Sequence, residues 1–288
     1  ALSSAASDVY KRQVYISEDH DDVLAPHAVY EMLKAARQTG AAFLYSDEAL
    51  FETSIERPSA GHFKPDFAPD YLNCCNYICH FAMFQAGLFH AVGGLDSACD
   101  GAQDHDLFLK LSERCTPVHV PKVLYYWRVH AGSTSGGTAA KPYVTAAAKR
   151  AIAAHLARTG AEGTVQDGLF PSTYKVDYTL AHTPLVSILI PNKDHTEDLN
   201  KALRSILEKT DYPAYEVIVI ENNSTQPQTF AYYETIARDA AYSRCRVVQY
   251  QGPFNFSAIN NFGRKAAKGE FLLLLNNDVE VISPAWLT

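Results

Sequence analysis

From residue 184 onward, short apolar runs and amphipathic segments take turns along the chain. Leu185-Val186-Ser187-Ile188-Leu189-Ile190 is closed by Pro191 and has the length of a buried strand. The pattern then predicts a helix over 199–208, a strand over 215–220, a helix around 230–237 and a strand over 246–250. A helix near 260–267 and the apolar run 271–275, which reads as a buried strand, complete the series. Strand and helix in alternation predict an α/β fold: a mostly parallel sheet flanked by helices. Ligands of such sheets sit at the carboxyl ends of the strands.

The first 130 residues are less regular. Val14-Tyr15-Ile16 reads as the stub of a strand leading to Asp19. Pro26 opens a helix, with Ala28, Val29, Met32, Leu33 and Ala36 at helical spacing and Gly40 at its end. A short strand over 42–45 runs into Ser46-Asp47-Glu48, and prolines at 58, 65 and 69 predict an irregular surface segment as far as Asn76. Helices are expected over 86–91 and 104–113, and strands over 118–127 broken at Pro121. Residues 131–142 read as a loop, 143–159 as an alanine-rich helix and 166–184 as a connector. The expected organisation is therefore a leader foreign to the fold (1–13), one unit (14–130), a linker with a helix (131–183) and a second unit (184–288).

Composition narrows the function. At 288 residues, 47% hydrophobic and 20% charged, the chain has ample core for one large or two ordinary domains. A net charge of -7 argues against nucleic acid as a partner. No apolar run approaches the roughly 18 residues of a membrane span. Six cysteines lack the paired C-x-x-C spacing of zinc sites, Cys74-Cys75-Asn76-Tyr77-Ile78-Cys79-His80 included. Reduced thiols in a cytoplasmic protein are expected.

The candidate chemistry lies at strand ends. Pro191-Asn192-Lys193-Asp194, Glu221-Asn222-Asn223-Ser224 and Asn276-Asn277-Asp278 each follow an apolar run. Any one of them is ordinary turn chemistry. Three converging on one sheet edge form a polar site suited to a nucleotide and a cation. Neither G-x-G-x-x-G nor G-x-x-x-x-G-K-[ST] occurs, which removes most support for a dinucleotide or P-loop site. Asp19-His20-Asp21-Asp22 repeats, near the start, the device of a strand ending in acids.

The order and spacing of these runs carry a resemblance. Val186 to Asp194, Tyr215 to Ser224, Phe254-Asn255-Phe256-Ser257-Ala258-Ile259-Asn260-Asn261-Phe262-Gly263, Ala267-Lys268-Gly269-Glu270 and Leu275 to Asp278 resemble family 2 glycosyltransferases of the GT-A fold. The likeness is nearest to bacterial members that build surface polysaccharides such as O-antigen and rhamnan. Asp19-His20-Asp21-Asp22, Tyr45-Ser46-Asp47-Glu48, His62 to Asp66, Asn76 to His80, Gly101-Ala102-Gln103-Asp104-His105-Asp106-Leu107 and Tyr126-Trp127-Arg128-Val129-His130 resemble the other half of the same domain. The resemblance implies two partial GT-A copies: the metal and acceptor half of one, then the nucleotide-sugar half of the next.

It also implies roles. Asp104 becomes the base that takes the acceptor proton in an inverting transfer. Its neutral alternative is a helix-terminal acid. Asp19, Asp21 and His130 become ligands of Mg²⁺ or Mn²⁺ in the first copy, and Asn276 and Asp278 in the second, where only the last acid is kept. Pro191, Asn192, Asp194, Glu221, Asn222, Asn223, Ser257, Asn260, Asn261 and Asn277 become contacts of the nucleotide-diphosphate sugar, with Asn260 standing where many members have Arg. The implied acceptor is a glycan or lipid-linked glycan, at the inner face of the membrane with peripheral association through the parent protein. A non-catalytic module gripping nucleotide-sugar or glycan is the competing expectation, and a nucleotidyltransferase is a third that lacks its phosphate loop. Were the two halves docked as one permuted domain, 271–275 would share a sheet with 42–45.

Overall fold

The computed structural model describes residues 14–17, 21–129 and 142–288. The chain divides into two compact units, with the boundary between Thr179 and Leu180. The expected leader at 1–13 lies outside the described residues.

In the first unit the chain runs β1 (Val14–Ser17), β2 (Val23–Leu24), α1 (Ala28–Thr39), β3 (Phe43–Phe51), β4 (Ala60–His62), α2 (Pro69–Cys74) and β5 (Ala82–Gln85). It continues through α3 (Ala86–Ala91), α4 (Gln103–Ser112), β6 (Val118–Arg128), α5 (Pro142–Thr159) and the hairpin β7 (Gly163–Asp167) and β8 (Tyr174–Tyr178). Its main sheet has the order β1-β5-β3-β6-β2, with β4 on the end of β3. Only β3 and β6 pair in parallel.

Strand β3 is buried along almost its whole length because both faces of the sheet are covered. Phe43 and Tyr45 enter one core with Phe84, Phe108 and Leu111. Leu44, pointing the other way, enters a second core with Met32, Met83 and Leu124. Gly40 ends α1 in the left-handed conformation at φ 74°, its N–H bonded to the Ala36 carbonyl. Pro121 does not break β6 as the pattern suggested. Proline has no N–H to give the ladder, so register slips there, from Ser46 opposite Val120 to Asp47 opposite Val123.

The stretch read as a linker is largely folded. Ala147, Ala148, Ala151, Ile152 and Leu156 of α5 are buried in the core that α4 also lines, and small alanines allow the two helices to approach closely. The expected connector is mostly the β7–β8 hairpin, whose Tyr174 joins the same core. Within the segment expected to be irregular, Pro69 opens α2 at the helix position that tolerates a missing N–H.

The second unit is the predicted alternation: β9 (Val186–Asn192), α6 (Thr196–Lys209), β10 (Tyr215–Glu221), α7 (Pro227–Arg238), β11 (Cys245–Gln249), α8 (Phe256–Ala266) and β12 (Phe271–Leu274). The four strands are parallel, in the order β11-β10-β9-β12. One face packs Ile188, Ile190, Val217 and Val219 against Leu199 and Leu203 of α6 and Ile236 of α7. The other packs Leu189, Ile218 and Ile220 against Ile259 of α8. Gly263 permits that approach, since a Cβ there would lie 2.2 Å from Ile220 Cδ1.

Two further expectations fail. The apolar run at 271–275 is not a buried strand: β12 is the sheet's edge, and Phe271, Leu272 and Leu274 are 59%, 41% and 51% exposed. Nor does it share a sheet with 42–45, because β12 pairs with β9 while β3 belongs to the other unit's sheet. The two runs thus lie in separate sheets with no shared pairing among the described residues.

Candidate nucleotide and metal site

Parallel strands bring β9, β10 and β12 to a common carboxyl edge, and there the three polar clusters meet. Asn192, the last residue of β9, is buried. Its side-chain amide donates to Tyr233 Oη and the Asp194 carbonyl, both at 2.8 Å, and its Oδ1 accepts from Asn277 Nδ2 at 2.7 Å. The β9 and β12 ends are thus tied by an amide pair. Asn222 is buried too. Its backbone N–H donates to the Asn192 carbonyl, and its side chain donates to the carbonyls of Tyr250 and Gly252. Asn223, exposed and at φ 57°, donates to the same Gly252 carbonyl.

The two acids assigned to the nucleotide prove to be engaged internally. Glu221 is 4% exposed and accepts from the Ser224 N–H, from Ser224 Oγ at 2.6 Å and from Tyr233 Oη at 2.6 Å. Asp194, at φ 55°, accepts from the N–H groups of Gln226 and Thr225, both at 2.9 Å, and from the Thr225 and Thr229 hydroxyls. The Gln226 N–H above all, then Thr225, holds its carboxyl below the usual range. Both acids therefore fix the loops that frame the site. Beside them lies an open cleft of about 430 Å³ lined by Lys193, Asp194, His195, Thr196, Gln226 and Gln228 among others. Lys193 stood in an expected cluster without a role of its own, and His195 and Gln228 were not expected in the site. Only their adjacency to Asp194 and to the α7 start pointed to them.

At the start of α8, Asn255 caps the helix by accepting from the Ala258 N–H. Ser257 and Asn261 are exposed. Asn260 is turned inward, 6% exposed, donating to the Phe256 carbonyl, with its Oδ1 buried and unpartnered. Pro191 is half-buried in β9 next to Asn192, and Asn276 and Asp278 stand exposed beyond β12.

In the first unit, Asp19 and His130 lie outside the described residues. Asp21 and Asp22 follow β1. Asp22 is tied to β6, accepting from Tyr125 Oη at 2.5 Å and the Arg128 N–H at 2.7 Å. Arg128 Nε donates to the Asp21 carbonyl. Asp104 sits in the first turn of α4 and is not the cap, since that position is Ala102. It is half-buried, with Oδ2 accepting from Asn76 Nδ2 at 2.7 Å and Oδ1 from the His105 N–H at 2.9 Å.

Carboxylate and amide oxygens are the hard donors that Mg²⁺ and Mn²⁺ take, so Asp21 in one unit and Asn276 with Asp278 in the other suit such a cation. A different trio, Asp96, Cys99 and Asp106, also has its ligand atoms close together. There Asp106 already pairs with Lys110 at 2.5 Å, which supplies the positive charge a cation would bring.

Comparison with known proteins agrees with this geometry. Residues 187–288 match the family described as Glycosyl transferase family 2. The uncharacterized protein y4gI of Sinorhizobium fredii (strain NBRC 101917 / NGR234) is 38% identical over 291 residues, covering 99% of this chain and 32% of that protein. The O-antigen biosynthesis protein RfbC of Myxococcus xanthus is 40% identical over 269 residues, covering 93% of this chain and 21% of that protein. A chondroitin synthase of Pasteurella multocida (strain Pm70) is 30% identical over 137 residues, 47% of this chain and 14% of that protein. The chain spans about a third or less of the length of these relatives. An α/β sheet, a polar carboxyl edge and the family match thus coincide in the second unit, which over residues 187–288 is similar to glycosyl transferase family 2.

Proposed function

We propose that the chain carries parts of two consecutive copies of one transferase domain. Residues 14–130 form the metal and acceptor half of the first, and residues 184–288 the nucleotide-sugar half of the second. The observation that carries this reading is a pair of matching edge strands. Val14–Ser17 and Phe271–Leu274 are both four residues long and both precede a metal-type cluster. Among the described residues β1 has only an antiparallel neighbour, β5, and β12 only a parallel one, β9. Laid upon each other, the two strands complete one mixed sheet.

The activity proposed is transfer of a sugar from a nucleotide-diphosphate donor to a glycan or lipid-linked glycan acceptor, with inversion, in cell-surface polysaccharide synthesis. The names of the O-antigen and chondroitin relatives support that product class. Asn192, Asn222, Asn277 and the loops fixed by Asp194 and Glu221 frame the nucleotide. Ser257 in the first turn of α8 and Asn261 one turn further along, both exposed, are available to the diphosphate. Asp104 takes the acceptor proton, and Asn76 orients its carboxylate. When bound, Mg²⁺ or Mn²⁺ would be held by Asp19 and Asp21, with His130, in the first copy and by Asn276 and Asp278 in the second, and would neutralise the leaving diphosphate. Among the described residues no helix is long and apolar enough to cross a membrane. Peripheral association at the inner membrane face completes the reading.

The test is a transfer assay on the intact parent protein over a panel of nucleotide-diphosphate sugars with Mg²⁺ or Mn²⁺, Asp104→Asn beside the unaltered parent. Loss of transfer with donor binding kept is expected. Full transfer by the variant overturns the role of Asp104.

A further inference from the structure

Beneath Asp104 lies a buried charged cluster for which the transfer chemistry has no direct use. Strand β3 delivers Asp47 and Glu48, 5% and 1% exposed, at the point where register slips against β6. Lys64 is drawn in beside them, its side chain fully buried. An ammonium has three donors and no acceptor, and burying one demands that each donor be matched. Lys64 meets that demand. Its Nζ donates to the Ile78 carbonyl at 2.6 Å, to the His80 carbonyl and to Glu48 Oε2 at 3.4 Å. The Lys64 backbone N–H donates to Asp47 Oδ1 at 2.9 Å, and Asp47 also meets His119 Nε2 at 2.8 Å. Glu48 is held in turn by His62 Nδ1 at 2.8 Å and the His80 N–H at 3.3 Å.

Both carbonyls grasped by Lys64 belong to the turn that presents Asn76. Within that turn the Cys79 N–H donates to Asn76 Oδ1 at 3.4 Å and the Cys79 thiol to the Asn76 carbonyl. These contacts leave Asn76 Nδ2 directed at Asp104 Oδ2, 2.7 Å away. We propose that Lys64 is a positioning residue: its buried ammonium, anchored by Glu48, clamps the 76–80 turn so that Asn76 holds the carboxylate of Asp104 in place. The clamp gains its catalytic meaning from the reading of Asp104 as the base. Arginine could not substitute, because its planar fork does not fit three convergent acceptors in a lysine-sized space.

The experiment measures solvent exchange of the Asn76 side-chain amide by NMR in the ¹⁵N-labelled 288-residue chain, with Lys64→Met as the variant that keeps length and burial. Exchange at Asn76 at least about tenfold faster, with the remaining spectrum folded, is the expected result. Unchanged exchange in a folded Lys64→Met overturns the clamp. If Lys64→Met does not fold, Glu48→Gln is read by the same signal: it keeps the shape and removes the anchoring charge, and unchanged exchange there has the same force. A kinetic cycle in the intact parent protein adds a readout that mere destabilisation would not move. Lys64→Met and Asn76→Ala should each lower kcat with donor KM unchanged, and the double variant should fall no further than the worse single one. Multiplying effects would show that Lys64 does not act through Asn76. Transfer retained by Asp104→Asn would remove the base reading alone, leaving the clamp to be judged by amide exchange.

Discussion

Replacing Glu221 by Gln tests whether the acid at the end of β10 belongs to the architecture of the site. Its carboxylate is buried and accepts three hydrogen bonds, two from Ser224 and one from Tyr233. Hydrogen bonds to a charged group contribute about 1.5–3 kcal/mol each. Gln keeps the volume and one acceptor oxygen but turns an NH₂ toward groups that themselves donate. Ser224 is half-exposed and can turn to water, whereas the buried Tyr233 hydroxyl loses its acceptor. A loss of about 3 kcal/mol follows, two bonds weakened and partly recovered. With a urea slope of about 1.5 kcal/mol per molar for a unit of this size, the midpoint falls by about 2 M. The chain's two tryptophans make the assay specific: Trp127 lies in the first unit, and Trp286 in the second donates to Thr210 Oγ1 at 2.9 Å. In a Trp127→Phe background, Trp286 fluorescence reports the second unit alone. A midpoint shift below about 0.3 M would refute the reasoning, because a carboxylate so engaged cannot be removed at that small a cost.

Gly263→Ala should destabilise the same unit by about 1–2 kcal/mol despite alanine's better helix propensity, because its Cβ meets the fully buried Ile220. Ile220→Val, which deletes the clashing Cδ1, should recover most of that loss in the same urea experiment. Acid should weaken the unit along a defined course. Asp194 is held below its ordinary range by the Gln226 N–H; Glu216 is pushed up by burial but held low on balance by Arg246, Ser187 and the Lys268 N–H. Depressed carboxyls stabilise the fold fully above their unfolded values, and that contribution is lost as pH falls through the folded ones. The thermal midpoint should therefore stay level from pH 7 to about 5 and drop below about pH 4, and a midpoint that rises in acid would contradict the assignment. Asp278→Asn should weaken the Mn²⁺-dependent part of nucleoside diphosphate binding about tenfold, near 1.4 kcal/mol by calorimetry, and leave the metal-free part unchanged.

The second unit was legible because its signals are local. Apolar strand runs such as 185–190 and 215–220 and the helical spacing over 199–208 each name their own element, and parallel pairing then places Asn192, Asn222 and Asn277 on one edge. Residue types could not reveal which polar atoms would be consumed there. Glu221 and Asp194 read as ligand acids, yet each is matched to donors within the loops, whose backbone turns through positive φ at Asp194 and Asn223. The β12 run looked buried because Phe271 to Leu274 are apolar, and burial at an edge depends on a neighbour that the run itself does not specify. In the first unit, long-range pairing decided the outcome. The slip at Pro121 and the Lys64–Glu48 pair join residues separated in sequence, and the hairpin at 163–178 closes over the loop 168–173; none has a clear local period to announce it.

The central claim is that the carboxyl edge of β9, β10 and β12 receives a nucleotide diphosphate. Titrating the ¹⁵N-labelled chain with UDP, GDP, CDP and dTDP in the presence of Mg²⁺, which leaves NMR lines sharp, tests it most directly. At least one of them should shift the amides of residues 192–194, 222–224, 257–261 and 276–278 together, with saturation. Saturable shifts confined to the cleft between α6 and α7, around Asn200, Tyr232 and Tyr242, would contradict it.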